Sequence, residues 1–167
     1  MREQNNIVIA VTNKKGGVGK TTSTLNLAAA LHAVGKKILV IDNDHQGNLT
    51  AAIGLTPADQ KYTLANLLLV TIDCPEDIDR HLQRTVVHIK EGLDLIPANK
   101  RLADAAARLQ VMQLSQYSSC GNAERYCEQI MDDLLKSLRC EYDYIIIDCG
   151  LVRPDRAKVE VDERGID

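Results

Sequence analysis

The sequence contains no tryptophan and no phenylalanine, and its five tyrosines make up the whole aromatic fraction of 3%. Proteins that bind single-stranded nucleic acid stack the bases on aromatic side chains, so this composition disfavours that class. The formal net charge of −3 likewise provides no general attraction to nucleic acid. Any contact with DNA would therefore need a local basic patch.

Long apolar runs and paired cysteines are also missing. No apolar stretch approaches the length of a transmembrane helix, and the first residues are too polar for a signal peptide. The five cysteines include no C-x-x-C pair, which is more typical of reduced thiols than of a disulfide framework or a zinc site. With 167 residues, of which 45% are hydrophobic, we expect a cytoplasmic protein with one buried core.

The most informative segment is a glycine-rich loop at residues 14–22, which reads KKGGVGKTT. It follows the apolar run Ile7–Val11 and precedes a helical pattern of leucines and alanines, which is the context of a phosphate-binding loop. Backbone N–H groups and the helix N-terminus would attract phosphate there. We expect Lys20 to reach the β- and γ-phosphates and the Thr21 hydroxyl to bind Mg²⁺. The alternative is an ordinary surface turn, which the flanking strand and helix disfavour.

Two further apolar runs end in aspartate. Residues 38–41 are followed by Asp42 and Asp44, and residues 144–147 are followed by Asp148. In open α/β sheets, ligands bind at the carboxyl ends of the strands. An aspartate at such an end can accept hydrogen bonds from water bound to Mg²⁺. We therefore expect these carboxylates to lie beside the loop, although the first pair could instead cap the helix that follows.

The loop departs from the usual phosphate-loop pattern, because Lys14 stands where that pattern begins with glycine and a second lysine follows. In this respect the sequence resembles the deviant Walker A ATPases of the ParA/MinD group. Their signature, Lys-Gly-Gly-x-Gly-Lys-Thr-Thr, is met by residues 15–22. The resemblance implies that Lys15 is the signature lysine, a catalytic residue that in this group reaches the nucleotide held by the other subunit of a dimer. The implied nucleotide-binding residues are Lys15, Gly16, Gly17, Val18, Gly19, Lys20, Thr21 and Thr22.

The resemblance extends to both aspartate segments. In this group the first usually reads Asp-x-Asp-Pro-Gln-Gly-Asn, which implies that Asp44 is catalytic through the hydrolytic water and that Asp42 supports the magnesium. Asp148 corresponds to the Walker B aspartate, and the implied metal site is Thr21, Asp42 and Asp148. His45 stands where the group usually has proline, and Gly150 replaces the first proline of the motif Asp-Cys-Pro-Pro. An exposed histidine without a role is the simpler interpretation of His45, and a titrating switch is the alternative.

Over residues 7–149 the resemblance implies an α/β fold of the P-loop NTPase type, with three layers and a mainly parallel sheet that lacks the last strands of the family domain. The flanking apolar alternation predicts either a hairpin around Glu91–Gly92 or a strand with a tight approach there. Residues 126–138 carry an apolar stripe at helical spacing, which predicts a helix packed on the core. The polar residues 113–121 are expected to form a mobile connection.

We expect two regions of different character. Residues 1–149 would form an incomplete P-loop ATPase domain, and residues 150–167 would form a polar, disordered tail that diverges from the family. A frameshift or premature termination would produce such a sequence. The loss of strands would expose an apolar sheet edge, so we expect reduced stability or self-association.

The resemblance implies an ATP-binding and ATP-hydrolysing switch of plasmid or chromosome partition, with Mg²⁺ as cofactor. In intact relatives ATP closes a homodimer that binds DNA non-specifically through a basic surface, which this sequence is expected to lack, and a ParB-type partner protein prompts hydrolysis. One alternative is a truncated remnant that binds nucleotide or a partner without turnover. Another is a MinD-like ATPase that cycles on membranes, but this needs an amphipathic C-terminal helix. The tail lacks the apolar face of such a helix, so we expect no membrane partner.

Overall fold

In the residues that the structure describes, the chain forms five β-strands and six α-helices. The computed structural model describes residues 6–116 and 124–150. The strands are β1 (Ile7–Val11), β2 (Ile38–Asn43), β3 (Val87–Lys90), β4 (Leu93–Ile96) and β5 (Tyr144–Cys149). The helices are α1 (Lys20–Ala33), α2 (Asn48–Ala52), α3 (Leu64–Asp73), α4 (Ile78–Thr85), α5 (Arg101–Gln116) and α6 (Glu124–Leu138).

The strands form one sheet in the order β1-β5-β2-β4-β3. The first four strands in this order are parallel to their neighbours, and β3 pairs antiparallel to β4 at the edge. The predicted hairpin is confirmed, because β3 and β4 are joined by a turn in which Gly92 has a φ of 76°. No helix in the described ranges is long and apolar enough to cross a bilayer.

The two central strands, β2 and β5, are buried on both faces, which gives the fold its three layers. Leu39 and Ile41 pack on one side with residues of α3, α4, α5 and α6. Ile38 and Val40 point to the other side, where they pack with residues of α1 and α2. A parallel sheet covered by helices on both faces is the predicted α/β architecture. The predicted fold class is therefore confirmed.

The helices α5 and α6 test two further predictions from the sequence. In α6, Ile130 and Leu134 belong to the core, so the predicted apolar stripe is confirmed. The mobile connection predicted at residues 113–121 is wrong in its first part, because α5 continues to Gln116. No glycine or proline interrupts the helical pattern before that residue. The rest of that connection and the tail at residues 151–167 lie outside the described residues.

A buried hydrogen-bond network ties the end of β2 to α2 and to the segment after β4. Asp42 has no exposed surface, and its Oδ2 accepts hydrogen bonds from the backbone N–H and the hydroxyl of Thr50, at 2.8 and 2.6 Å. The Thr50 hydroxyl in turn accepts a hydrogen bond from the backbone N–H of Ala98 at 3.0 Å. The N-cap residue of α2, Gly47, makes no side-chain bond to the N–H groups of the first turn. The carboxylate of Asp42, on the neighbouring strand β2, accepts one of these N–H groups instead, that of Thr50.

The substitution Thr50→Val should lower the free energy of unfolding by about 2 kcal/mol or more, because it leaves the buried N–H of Ala98 without an acceptor. Thr71→Val is the matched control. The Thr71 hydroxyl bonds only to the carbonyl of Leu67, one turn earlier in α3, so we expect a loss below about 1 kcal/mol. Urea unfolding measures both values, and equal losses would contradict the importance of the network.

The strand that leads into the glycine-rich loop lies at the edge of the sheet. All five residues of β1 are apolar, yet none of them is fully buried, and Ile7 is 48% exposed. Within the described residues, only β5 pairs with β1. An unpaired apolar edge of this kind is a template for pairing with another chain.

The substitution Ile7→Lys should reduce concentration-dependent self-association, because a charge on an edge strand opposes strand pairing. Val111→Lys is the control, since Val111 is 66% exposed on α5 and is not part of the edge. Sedimentation velocity over a range of concentrations measures the effect. A wild-type protein that stays monomeric at all concentrations, with a sharp and high melting transition, would contradict the expectation of an associating edge.

Candidate functional site

The predicted site residues come together at one edge of the sheet. Because β5 lies between β1 and β2, the register places Asp148 opposite Val11 on one side and Asp42 on the other. The glycine-rich loop, residues 14–22, follows β1 and therefore begins on the same side of the sheet as these carboxylates. The loop and β5 are joined where the hydroxyl of Thr21 donates a hydrogen bond to Oδ2 of Asp148 at 2.7 Å.

The loop has the backbone of an anion cradle. Gly17 and Gly19 have φ values of 71° and 84°, in the left-handed region that favours glycine. A Cβ at either position would meet no described atom within 4 Å, so open space lies beside both residues. Gly19 is also the N-cap of α1, which has no side-chain cap and no acidic residue in its first turn. The N–H groups of this turn are therefore available to a phosphate.

Lysines are concentrated around the same turn. The Lys20 ammonium lies 3.4 Å from the carbonyl oxygen of Lys15, within the loop itself. The N–H of Lys15 donates to Oδ1 of Asn13 at 3.0 Å, which fixes the backbone while the residue remains exposed. In the described part of the chain, neither these two lysines nor Lys14 forms an ion pair. This uncompensated positive charge favours an anionic ligand.

Asp148 is buried, with only 1% of its surface exposed. One of its two carboxylate oxygens has a hydrogen-bond partner among the described residues, and the other has none. Its Oδ2 accepts the bond from Thr21, but its Oδ1 is buried without a hydrogen-bond partner among the described residues. Burial is the main reason why the pKa of Asp148 is raised, and the nearby Asp44 raises it further. The bond from Thr21 and the charge of Lys20 act in the opposite direction. A buried oxygen of this kind is suited to bind a cation or the water around it.

These residues fit a magnesium ion. Magnesium takes oxygen ligands and is usually held by one or two protein oxygens, by phosphate and by several waters. The Thr21 hydroxyl and the Asp148 carboxylate supply such oxygens at the start of α1. The described ranges contain no group of three or more His, Cys, Asp and Glu side chains that could hold a metal. A metal here would therefore depend on phosphate oxygens to complete its coordination.

Asp42 faces the same edge, but both of its oxygens are already bonded. Oδ1 accepts the backbone N–H of Asp44 at 3.1 Å, and Oδ2 accepts both donors of Thr50. Burial raises the pKa of Asp42, while the hydrogen bonds from Thr50 lower it. The capping alternative considered from the sequence is thus present for this residue, because the N–H of Thr50 lies in the first turn of α2. The role of Asp42 in a magnesium site stays a prediction.

Asp44 is less buried, with 17% of its side chain exposed. Its Oδ1 accepts the backbone N–H of Gln46 at 3.0 Å, and its Oδ2 accepts the side-chain amide of Asn48 at 3.3 Å. The imidazole Nδ1 of His45 lies 3.5 Å from Oδ1. An oriented carboxylate that water can reach is able to accept a proton from that water.

Three neighbours of these carboxylates were not predicted from the sequence, namely Thr50, Asn48 and Gly150. A Cβ at Gly150 would come within 3.1 Å of Oδ1 of Asp44. The turn between Asp44 and Gln46 has a local signal, because aspartate commonly bonds the backbone two residues on. The bond from the Thr50 N–H is the one that the capping alternative indicated, whereas the bond from its hydroxyl and the contact of Gly150 depend on how β2 packs beside α2 and β5.

Comparisons with known proteins agree with this geometry. The family model AAA_31, described as an AAA domain, matches residues 6–154. The chain is 39% identical over 142 residues to the sporulation initiation inhibitor protein Soj of Bacillus subtilis, a match that covers 85% of the chain and 49% of Soj. It is 33% identical over 144 residues to the chromosome partitioning protein ParA of Caulobacter vibrioides, covering 85% of the chain and 47% of ParA. The chain thus spans about half the length of the curated relatives it matches.

One solved structure that is similar to this chain contains an ATP analog and magnesium. Cobyrinic acid a,c-diamide synthase from Mycobacterium smegmatis, with a bound ATP analog and magnesium, superposes with a TM-score of 0.68 and is 31% identical. The superposition covers 88% of this chain and 52% of that protein.

The sheet order, the open glycine-rich loop and the contact between Thr21 and Asp148 are features of one fold, and the family match spans most of the chain. This chain therefore belongs to the AAA domain family, as a P-loop protein of the ParA/Soj type.

Proposed function

We propose that this chain binds ATP with Mg²⁺ and hydrolyses the nucleotide as a cytoplasmic, ParA-type switch of DNA partition. The observation that carries the proposal is the hydrogen bond between Thr21 and Asp148 below the open loop. It joins the first turn of α1 to a carboxylate whose second oxygen has no partner among the described residues. A phosphate-bound magnesium ion would satisfy that oxygen, and the negative charge of the phosphate would be balanced by the uncompensated lysines.

The proposed nucleotide-binding residues are those of the loop from Lys15 to Thr22. The open space beside Gly17 and Gly19 allows phosphate to approach the backbone, and the first turn of α1 offers N–H groups. Mg²⁺, when bound, would neutralise phosphate charge and fix the orientation of the phosphates. Thr21 and Asp148 would hold the ion, and Asp42 would support this edge of the sheet.

Asp44 is the proposed group for the attacking water. Its carboxylate is partly exposed and is oriented by donors from Gln46 and Asn48, so it can hold a water in line and accept its proton. Lys20 would balance charge on the phosphates from within the same subunit. Lys15 would act across a dimer interface, where an added positive charge stabilises the transition state.

The proposed partners come from the likeness to the partition proteins. They are a second copy of the chain, a ParB-type protein and non-specific DNA. The chain spans about half the length of Soj and of ParA. We therefore propose these partners for the activity of a whole protein of this type. No membrane partner is proposed.

Three alanine substitutions in the loop distinguish the proposed roles of the lysines. Lys20→Ala should weaken ATP binding at least about tenfold, since it removes a charged hydrogen bond to phosphate. Lys15→Ala should leave binding near wild type but lower kcat about 100-fold or more, because its charge acts on the transition state. Lys14→Ala is the control and should change neither value greatly. Nucleotide affinity and steady-state ATP turnover, measured with and without DNA, check these outcomes.

Absence of turnover in all versions, including wild type, would favour the alternative of a remnant that binds nucleotide without hydrolysis. Equal loss of binding in the Lys14→Ala and Lys15→Ala variants would contradict a specific role of Lys15. A loop that binds no nucleotide in any version would remove the basis of the proposal.

Asp148→Asn should stabilise the nucleotide-free protein at neutral pH while abolishing Mg²⁺-dependent nucleotide binding. The pKa of Asp148 is raised above its ordinary value of 3.8, so the ionised carboxylate costs stability when the pH lies above the raised pKa. This cost disappears as the pH falls through the raised pKa toward 3.8, since the folded state then binds the proton more tightly. The advantage of the variant in Tm should therefore be largest near neutral pH and shrink in acid.

Calorimetry at a series of pH values measures this difference. Asp59→Asn is the control, because Asp59 is an exposed aspartate that forms no ion pair with the described residues, and the change should stay within about 0.5 kcal/mol. A variant that is less stable than wild type near neutral pH would show that Asp148 is satisfied without a metal.

A further inference from the structure

Two residues that the proposed mechanism does not use meet at the Asp44 carboxylate. The Nδ1 atom of His45 lies 3.5 Å from its Oδ1. Gly150, at the end of β5, lies where a Cβ would come within 3.1 Å of the same oxygen. One of these residues follows β2 and the other follows β5, so the carboxylate is approached from two strands.

We infer that His45 and Gly150 are positioning residues, which together hold the Asp44 carboxylate in the orientation that the attacking water requires. The inference rests on the proposed function, in which Asp44 handles that water. Neither residue would touch the nucleotide, and each acts through Asp44.

The hydrogen bonds of His45 determine which way its ring donates. The side-chain amide of Gln46 lies 2.7 Å from Nε2 of His45. An amide nitrogen can only donate, so the ring accepts at Nε2 and, when neutral, carries its proton on Nδ1. At 3.5 Å from Oδ1 of Asp44, the Nδ1 N–H is in electrostatic contact with the carboxylate and does not form a short hydrogen bond with it. The ring itself is 51% exposed.

Gly150 contributes space rather than an unusual backbone conformation. It is absent from the glycines with positive φ, so its backbone is accessible to other residues. Its N–H donates to the carbonyl oxygen of Asn43 at 3.1 Å, which extends the pairing of β5 with β2 and fixes Gly150 beside Asp44. Any side chain at this position would press on the carboxylate, which would have to move by a few tenths of an ångström.

The consequence for catalysis is a constraint on geometry. Oδ1 receives the backbone N–H of Gln46 and faces the imidazole, and Gly150 leaves the far side clear. A carboxylate held in this way needs no reorganisation when water attacks. Displacements well below 1 Å at such a group lower kcat without changing how the nucleotide binds.

The first experiment needs no nucleotide. The backbone amide proton of Gln46 reports on its carboxylate acceptor, so its NMR chemical shift should move upfield in Gly150→Ala and in His45→Leu. His45→Asn retains a side-chain N–H donor and should keep the shift near its wild-type value. His88→Asn is the matched control, because His88 also contacts an aspartate, Asp94 at 2.6 Å, on β3 and β4 away from Asp44.

The second experiment measures turnover of the same variants. Gly150→Ala and His45→Leu should each lower kcat about tenfold at unchanged KM for ATP, while His45→Asn and His88→Asn stay near wild type. An unchanged Gln46 shift in Gly150→Ala and His45→Leu would overturn the inference. So would an unchanged kcat in both variants of an active wild-type protein. If the wild type has no turnover, the proposed function fails, and the Gln46 shift alone then decides whether the two residues position Asp44.

Discussion

The burial of one carboxylate, that of Asp148, governs the arrangement of the site. Asp148 lies near the carboxyl end of the central strand β5, where it is removed from water. An ionised group loses its hydration in such a position. The hydroxyl of Thr21 and the charge of Lys20 offset only part of this loss, because one oxygen stays without a donor among the described residues. The adjacent charge of Asp44 increases the cost. A bound cation would relieve this imbalance, and that is the physical basis of the proposed magnesium site.

The same contact makes the site strongly non-local. Thr21 and Asp148 are separated by 127 positions in the sequence, yet β5 must insert between β1 and β2 before their side chains can meet. Until that insertion, neither β1 nor β2 is paired with β5, and the loop has no carboxylate from β5 beside it. Formation of the candidate site is therefore coupled to assembly of the sheet rather than to the local strand–loop–helix unit, and bringing such distant segments together costs chain entropy.

Sequence patterns predicted those parts of the molecule that depend on local chemistry. The glycines at 17 and 19, the apolar strands and the aspartates at their ends each have a local reason, and together they indicated the fold and the edge at which the site lies. What they did not indicate depends on packing between distant segments. The bond from the Thr50 hydroxyl to Asp42 follows from the position of α2 against β2, and the place of Gly150 follows from pairing between β2 and β5. The end of α5 was misjudged for a different reason, since polar residues before Gly121 were taken as a connection although nothing there prevents a helix.

The two aspartates at the end of β2 lie in different environments, of which one suits a structural role and the other suits the proposed chemistry. Asp42 points into the protein, where Thr50 and the N–H of Asp44 occupy both of its oxygens. That N–H bond links the two residues, so the fully buried carboxylate also fixes the backbone that carries the partly exposed one. Asp44 emerges where the strand pairing stops, and its hydrogen bonds from Gln46 and Asn48 are exposed. A carboxylate that must exchange protons with water needs this second kind of environment. The division follows from position along the strand, because Asp42 lies in the last buried pair of the sheet, with Asp148, whereas Asp44 lies two residues beyond it. It does not follow from any difference between the side chains.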